Sequence, residues 1–142
     1  MQMVRNKQRD CFARLQAHGH RLTRPRRSII ETLITQSRAM TASDLHRALA
    51  ARGVSLASIY RTLELLTRLG LAEPVRQAGE EARYIVCQPG HHHHVICTRC
   101  WHVADVDACL IEPVAAAIHD ATSFEIDSHI LEFYGRCRAC QR

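Results

Sequence analysis

No stretch of this 142-residue chain approaches the roughly 20 consecutive apolar residues that a bilayer span requires, and its opening MQMVRNKQRD carries no apolar export core. A membrane-spanning helix is therefore excluded, and a soluble, cytoplasmic protein is expected. The chain also lacks any repeat of solenoid period and any low-complexity tract beyond His91–His94. At 142 residues it is too short for a large multi-domain enzyme but sufficient for one ordinary domain or two small ones. No HExxH-type pairing is present, so a zinc hydrolase with an open water position has no ligand frame, and no small-molecule substrate is expected.

Lysine is scarce as well. Residues 1–86 carry 15 Lys+Arg against 7 Asp+Glu, a net of +8, and all the basic residues but Lys7 are arginine. Residues 87–142 carry 4 against 7, a net of −3. Cysteine and histidine run the other way, since six of seven Cys and seven of ten His lie at or after position 87. Two halves with two chemistries follow. Without an export signal, cysteines arranged in CxxC pairs point to metal ligation rather than disulfides.

The apolar spacing predicts a short helix from about Lys7 to Ala17, carrying Cys11, Phe12 and Leu15. A second starts at Thr23-Arg-Pro25 with the stripe Ile29, Ile30, Leu33 and Ile34. Thr41-Ala-Ser-Asp44 reads as a capping box that opens a third helix facing Leu45, Ala48 and Leu49 inward. Ser58 is expected to cap a fourth, with Ile59, Leu63 and Leu66 on one face and Tyr60, Arg61, Glu64 and Arg68 on the other. Strand-like runs Leu71–Arg76 and Ala82–Cys87 form a hairpin, which completes a winged helix. Gln88-Pro-Gly90 reads as a linker. Beyond it come strands near His93–Thr98 and Trp101–Val106, a helix near Asp107–Asp120 and a strand near Phe124–Tyr134. The expected class is α+β: a winged helix-turn-helix domain over 1–87, a hinge at 88–91, and a small α/β domain over 92–142.

Arginine grips phosphate through a planar fork and reads guanine bidentately, so the arginine bias fits nucleic acid. Arg21, Arg24, Arg26 and Arg27 cluster at one helix start, and Tyr60 and Arg61 are expected in the first turn of the recognition helix, where base edges are read. Arg61 suits a purine edge, Tyr60 a thymine methyl or a phosphate, and Arg21 the backbone or minor groove. Ser58 and Arg24 complete the candidate DNA contacts.

Cys97-Thr-Arg-Cys100 and Cys137-Arg-Ala-Cys140 have the spacing of a closed four-thiolate zinc site, which is structural because it leaves no open position. In the run His91–His94, side chains of an extended chain alternate, so one run can feed two sites. His92 and His94 can take Cys87 and, from the other wing strand, Glu73. His91 and His93 can take Glu112 and His129. Cys11 and Cys109 are expected to be small buried hydrophobes, and His18, His20, His46, His102 and His119, which lack ligand spacing, surface or locally bonded residues.

Leu22-Thr-Arg-Pro-Arg26, Ser58-Ile-Tyr-Arg-Thr-Leu63, Gly70-Leu-Ala72, and His91–His94 followed by Val95-Ile-Cys-Thr-Arg-Cys100 and Cys137–Cys140 resemble, in order, the ferric uptake regulator family of bacterial metal-responsive repressors. The zinc uptake regulator branch is the nearest match. The resemblance implies a winged helix, a hinge and an α/β dimerisation domain, a cytoplasmic homodimer on palindromic double-stranded operator DNA, and two or three Zn2+ per chain. It implies a regulatory zinc on Glu73, Cys87, His92 and His94, and a further site on His91, His93, Glu112 and His129. Arg38-Ala-Met40 lacks the His that the iron and peroxide branches place before the third helix, and the Cys87 thiolate suits zinc. Glu73 replaces a more common Asp, and Trp101 a usual Gly. An iron, manganese or peroxide sensor on the same fold is the alternative; zinc storage would leave the arginine cluster without a purpose.

Overall fold

In the computed structural model, which describes residues 2–77, 79–88, 90, 92–106 and 111–142, the chain forms two units, Met1–Pro89 and Gly90–Arg142. Helix α1 (Gln2–Ala17) starts earlier than the apolar spacing predicts; its Cys11 and Leu15, one turn apart, are buried. Helix α2 (Arg24–Gln36) follows Thr23 in extended geometry with Pro25 in its first turn, and Ile29, Ile30, Leu33 and Ile34 face the core.

Helix α3 (Ala42–Leu49) opens on the expected capping box. The Thr41 hydroxyl accepts from the Asp44 N–H at 2.9 Å, and the Asp44 carboxylate accepts from the Thr41 N–H at 3.2 Å. Its buried stripe is Ala42, Leu45 and Leu49, while Ala48 is exposed, contrary to the expected pattern. At 100° per residue Ala48 lies about 90° from the stripe's centre.

Helix α4 (Leu56–Arg68) is capped by Ser55, not Ser58 as expected. The Ser55 hydroxyl accepts from the Ser58 N–H at 3.2 Å. Apolar packing decides between the two serines: with Ser55 at the cap, Val54 before it and Ile59 in the first turn are both core residues, as a hydrophobic staple requires. Ile59, Leu63 and Leu66 are buried, each worth about 1.5–3 kcal/mol of transfer free energy.

Strands β1 (Ala72–Val75) and β2 (Arg83–Val86) pair antiparallel with Ala72 opposite Val86 and Glu73 opposite Ile85. Two anchors hold this wing on the helices. Met40 and Tyr84 exchange backbone hydrogen bonds of 3.3 and 2.8 Å, and Arg83 Nη1 donates to Asp44 Oδ2 at 3.0 Å. Burial of Asp44 opposes its ionisation, but hydrogen bonds from Thr41 and the charges of Arg83 and Arg38 outweigh it and hold the carboxyl below its ordinary 3.8.

In the second unit β3 (His93–Cys97) is central, antiparallel to β4 (Val103–Val106) and parallel to β5 (Glu132–Gly135). Helix α5 (Glu112–Thr122) has no buried residue. The last strand is shorter than the expected Phe124–Tyr134, because the parallel ladder to β3 begins only at Glu132; residues 124–131 are irregular. Residues 107–110, where the fifth helix was expected to begin and which include Cys109, lie outside the described residues. Among the described residues no helix is long and apolar enough to cross a membrane.

Candidate metal centres and nucleic-acid face

The sheet assembles the four-cysteine group. Cys97 ends β3, and parallel pairing sets it opposite Gly135, so Cys137 follows two residues later on the neighbouring strand's exit. Thr98 N–H donates to the Gly135 carbonyl at 2.8 Å, fixing that register. The sulfurs of Cys97, Cys100, Cys137 and Cys140 all lie within 4.8 Å of one another, with Cys100 and Cys137 3.7 Å apart. A tetrahedron with Zn–S near 2.3 Å has sulfur edges of about 3.8 Å, so the donors fit a structural zinc ion.

Electrostatics agree with the geometry. Backbone N–H groups of Cys137, Cys100 and Arg99 converge on Cys97 and pull its thiol down to about 5; the Cys137 N–H is 3.4 Å from the sulfur. Hydrogen bonds with the Cys100 and Cys137 side chains push Cys140 up to about 12. Four thiolates this close need a cation to ionise together. The turn carries Trp101 at φ 62°, its N–H donating to the Cys97 carbonyl at 2.9 Å. A non-glycine residue pays about 1–2 kcal/mol in that left-handed conformation.

The histidine run alternates as extended backbone requires. The His92 and His94 rings lie edge to face with centroids 4.9 Å apart, while His93 faces away toward His129, 5.2 Å between centroids. His92 Nδ1 is 3.0 Å from the Gly90 carbonyl. His94 Nδ1 is 3.0 Å from Asp105 Oδ1. With Nδ1 donating to the Gly90 carbonyl, the neutral His92 ring keeps its lone pair on Nε2, the arrangement that orients an imidazole as a metal ligand; the Asp105 carboxylate stands beside the His94 ring as an ion-pair neighbour.

Asp105 was not among the residues singled out from sequence. The signal lay in the antiparallel register, which sets Asp105 directly opposite His94 once the CxxC segment is read as the turn between β3 and β4.

In the first unit, Cys87 follows β2 and its N–H donates to the Leu71 carbonyl at 3.0 Å. The ladder therefore runs one pair past the strand ends, and period-2 alternation puts Cys87 on the hairpin face that carries Glu73. Glu112 is an exposed first-turn acid of α5. His129 precedes β5 instead of lying in the last strand as expected. His91 lies outside the described residues. Cys11 is the small buried hydrophobe expected, with burial first and then the Asp10 charge pushing its thiol up to about 11.

On α4, Tyr60 is 48% exposed and Arg61 is exposed. Because the helix begins at Leu56, both fall in the second turn, a correction to the expected first. Ser58 is occupied locally: its hydroxyl hydrogen-bonds with Ser55 at 3.0 Å and accepts from Arg61 Nη2 at 3.5 Å, bracing the arginine. Arg21 and Arg24 are exposed at the start of α2, where the Arg21 carbonyl accepts from Arg26 Nη1 at 2.8 Å.

Comparison with known proteins fits this layout. Residues 17–134 match the ferric uptake regulator family. The peroxide-responsive repressor PerR of Staphylococcus saprophyticus is 26% identical over 143 residues, covering 99% of this chain and 96% of that protein. The crystal structure of the Vibrio cholerae ferric uptake regulator is similar at 26% identity and a TM-score of 0.65, over 87% of this chain and 96% of that one. The structure of the Pseudomonas aeruginosa ferric uptake regulator with manganese gives 29% and 0.63, over 89% of this chain and 96% of that one.

Proposed function

The chain belongs to the ferric uptake regulator family of metal-responsive transcription regulators, and from that premise we propose that it is a zinc-responsive repressor of the zinc uptake regulator branch, controlling zinc uptake and homeostasis genes. Family members are regulators rather than enzymes. In this reading a homodimer sets two α4 helices into successive major grooves of a palindromic operator, about 34 Å apart. Tyr60 and Arg61 make the base contacts, and Arg21, Arg24 and Ser58 support them.

One observation carries the zinc assignment. The boundary between the two units falls at 89/90, with Cys87 just before it and His92 and His94 just after. A thiolate with two imidazoles and the Glu73 carboxylate is a donor set that favours zinc over harder ions. Bound there, zinc supplies a positive charge that the Glu73 carboxylate and the Cys87 thiolate neutralise. The protein's part is to present the donors: the hairpin ladder carries Glu73 and Cys87, the Gly90 carbonyl orients His92, and the Asp105 carboxylate lies against His94. Converting a minor binding-competent state from 1:99 to 99:1 takes about 5.5 kcal/mol of differential affinity, modest for four ligands.

The four-cysteine group carries a second, structural zinc, and His93 with His129, joined by His91 and Glu112, a third. Dimerisation is supported by the apolar residues that α5 and the segment after it leave on the surface, with Ile118 42% and Ile130 95% exposed.

A second reading, regulation by iron, manganese or peroxide, is favoured by the names of similar proteins. Cys87→Ser separates the two. The zinc reading expects zinc-dependent operator binding to be lost while the four-cysteine zinc stays; an unchanged metal response in the variant overturns it.

A further inference from the structure

The second unit separates its charges. Residues 100–135 hold seven Asp+Glu and no Lys or Arg. All four basic residues after position 87, Arg99, Arg136, Arg138 and Arg142, lie within or beside the two CxxC pairs. The four cysteine sulfurs, all within 4.8 Å of one another, gather them at one end of the sheet. There the Gln141 side chain donates to the Arg136 carbonyl at 2.9 Å, which folds the last residues back onto this knuckle. All four arginines are exposed. Four thiolates on one Zn2+ leave about two negative charges, so four guanidinium groups overcompensate the site they surround.

The chain's own carboxylates leave these arginines unmatched. Among the described residues none of the four forms an ion pair, and neither do Glu125 and Asp127. These two acids stand in the irregular segment between α5 and β5, where they alternate with Phe124 and Ile126, and all four side chains are exposed. Carboxylates and large apolar groups thus share one stretch of surface. The knuckle offers the matching mixture. A pocket of about 440 Å3 opens beside Arg138, Ala139 and Arg142, and the partly exposed Trp101 follows Cys100 in left-handed backbone. Tryptophan and arginine are enriched among the residues that dominate binding at protein interfaces.

We propose that the zinc knuckle is a docking surface for a second copy of this chain: segment 124–127 of the partner subunit seats beside Arg138 and Arg142, its carboxylates meeting the knuckle arginines. This deepens the homodimer reading above and rests on it. Two-fold symmetry supplies the contact twice, knuckle to segment and segment to knuckle. The apolar residues supply area, and the charges choose the partner, because like charges brought together at either contact oppose a wrong pairing.

Charge-swapped full-length chains, loaded with zinc, test it by analytical ultracentrifugation and native mass spectrometry. Arg138→Glu with Arg142→Glu sets acid against acid, and Glu125→Arg with Asp127→Arg sets base against base. Each pair of substitutions is expected to weaken homodimerisation by about tenfold to a hundredfold, with a smaller loss at high salt. Mixed together, the two variants meet with opposite signs at both contacts. They are expected to form heterodimers well above the share that random mixing gives, which also shows that both variants are folded. Variants that dimerise as tightly as the unaltered chain and mix at random overturn the proposal and leave the homodimer standing. An unaltered chain that stays monomeric overturns the homodimer reading and the proposal with it. Loss of DNA affinity in the arginine variant with dimerisation unchanged assigns the knuckle to nucleic acid, and likewise overturns the proposal.

Discussion

Stripping the metal from the four-cysteine group is expected to unfold the second unit and leave the first intact. The reason is the distribution of buried apolar side chains. Among the described residues of 90–142 only Ile96 and Cys97 are buried hydrophobics, whereas α1 to α4 and the hairpin share a continuous core from Cys11 to Val86. Structural zinc sites bind with about 10–16 kcal/mol in small zinc peptides, as much as the whole folding free energy of an ordinary domain, about 5–15 kcal/mol. Removing that term therefore exceeds what one isoleucine and one cysteine can supply. The sheet is also fixed through the site, since Thr98 and Cys137 both bond across it. Hydrogen exchange read by mass spectrometry on reduced, chelator-treated protein tests this. Amides of 93–97, 103–106 and 132–135 should lose protection while those of 56–68 keep it. Retained protection in 93–97, in protein whose mass shows it to be metal-free, would falsify the argument.

Asp105→Asn keeps the shape of the side chain 3.0 Å from His94 Nδ1 but removes its charge, and loss of such a supporting charge costs about 10–100-fold in metal affinity. Competition with a chromophoric chelator should show that loss at the regulatory site only; equal affinity refutes the supporting role. Thr41→Ala should destabilise the first unit by about 0.5–2 kcal/mol through the lost cap, measured by urea unfolding. Because Asp44 is held below its ordinary 3.8, its contribution is present above about pH 4 and fades as pH falls below it. Asp44→Asn should remove that part of the acid dependence of the melting temperature, and an unaltered profile counts against the assignment.

Much of this was readable from residue order, and the failures have identifiable causes. Thr41 with Asp44 announced its own helix because a capping box is local. Ser58 did not reveal that it follows the cap, because two serines three apart satisfy the same rule and only the packing of Val54 and Ile59 chooses Ser55. Helix period alone put Ala48 inside, where a small side chain at the stripe's edge gains little from burial. The two CxxC pairs gave their cluster directly, since spacing fixes which sulfurs share a turn. The alternation of His92, His93 and His94 followed from the strand pleat. Asp105 was hidden because its place beside His94 comes from a cross-strand register.

The central claim is that zinc beyond the structural ion switches DNA binding on. Metal content and operator affinity, measured on one zinc titration of the dimer by mass spectrometry and fluorescence anisotropy, test it most directly. The account predicts that protein holding only the four-cysteine zinc binds operator weakly, and that affinity rises in step with the next equivalent. Operator binding that is complete with the structural ion alone, or that follows iron or manganese instead, would contradict it.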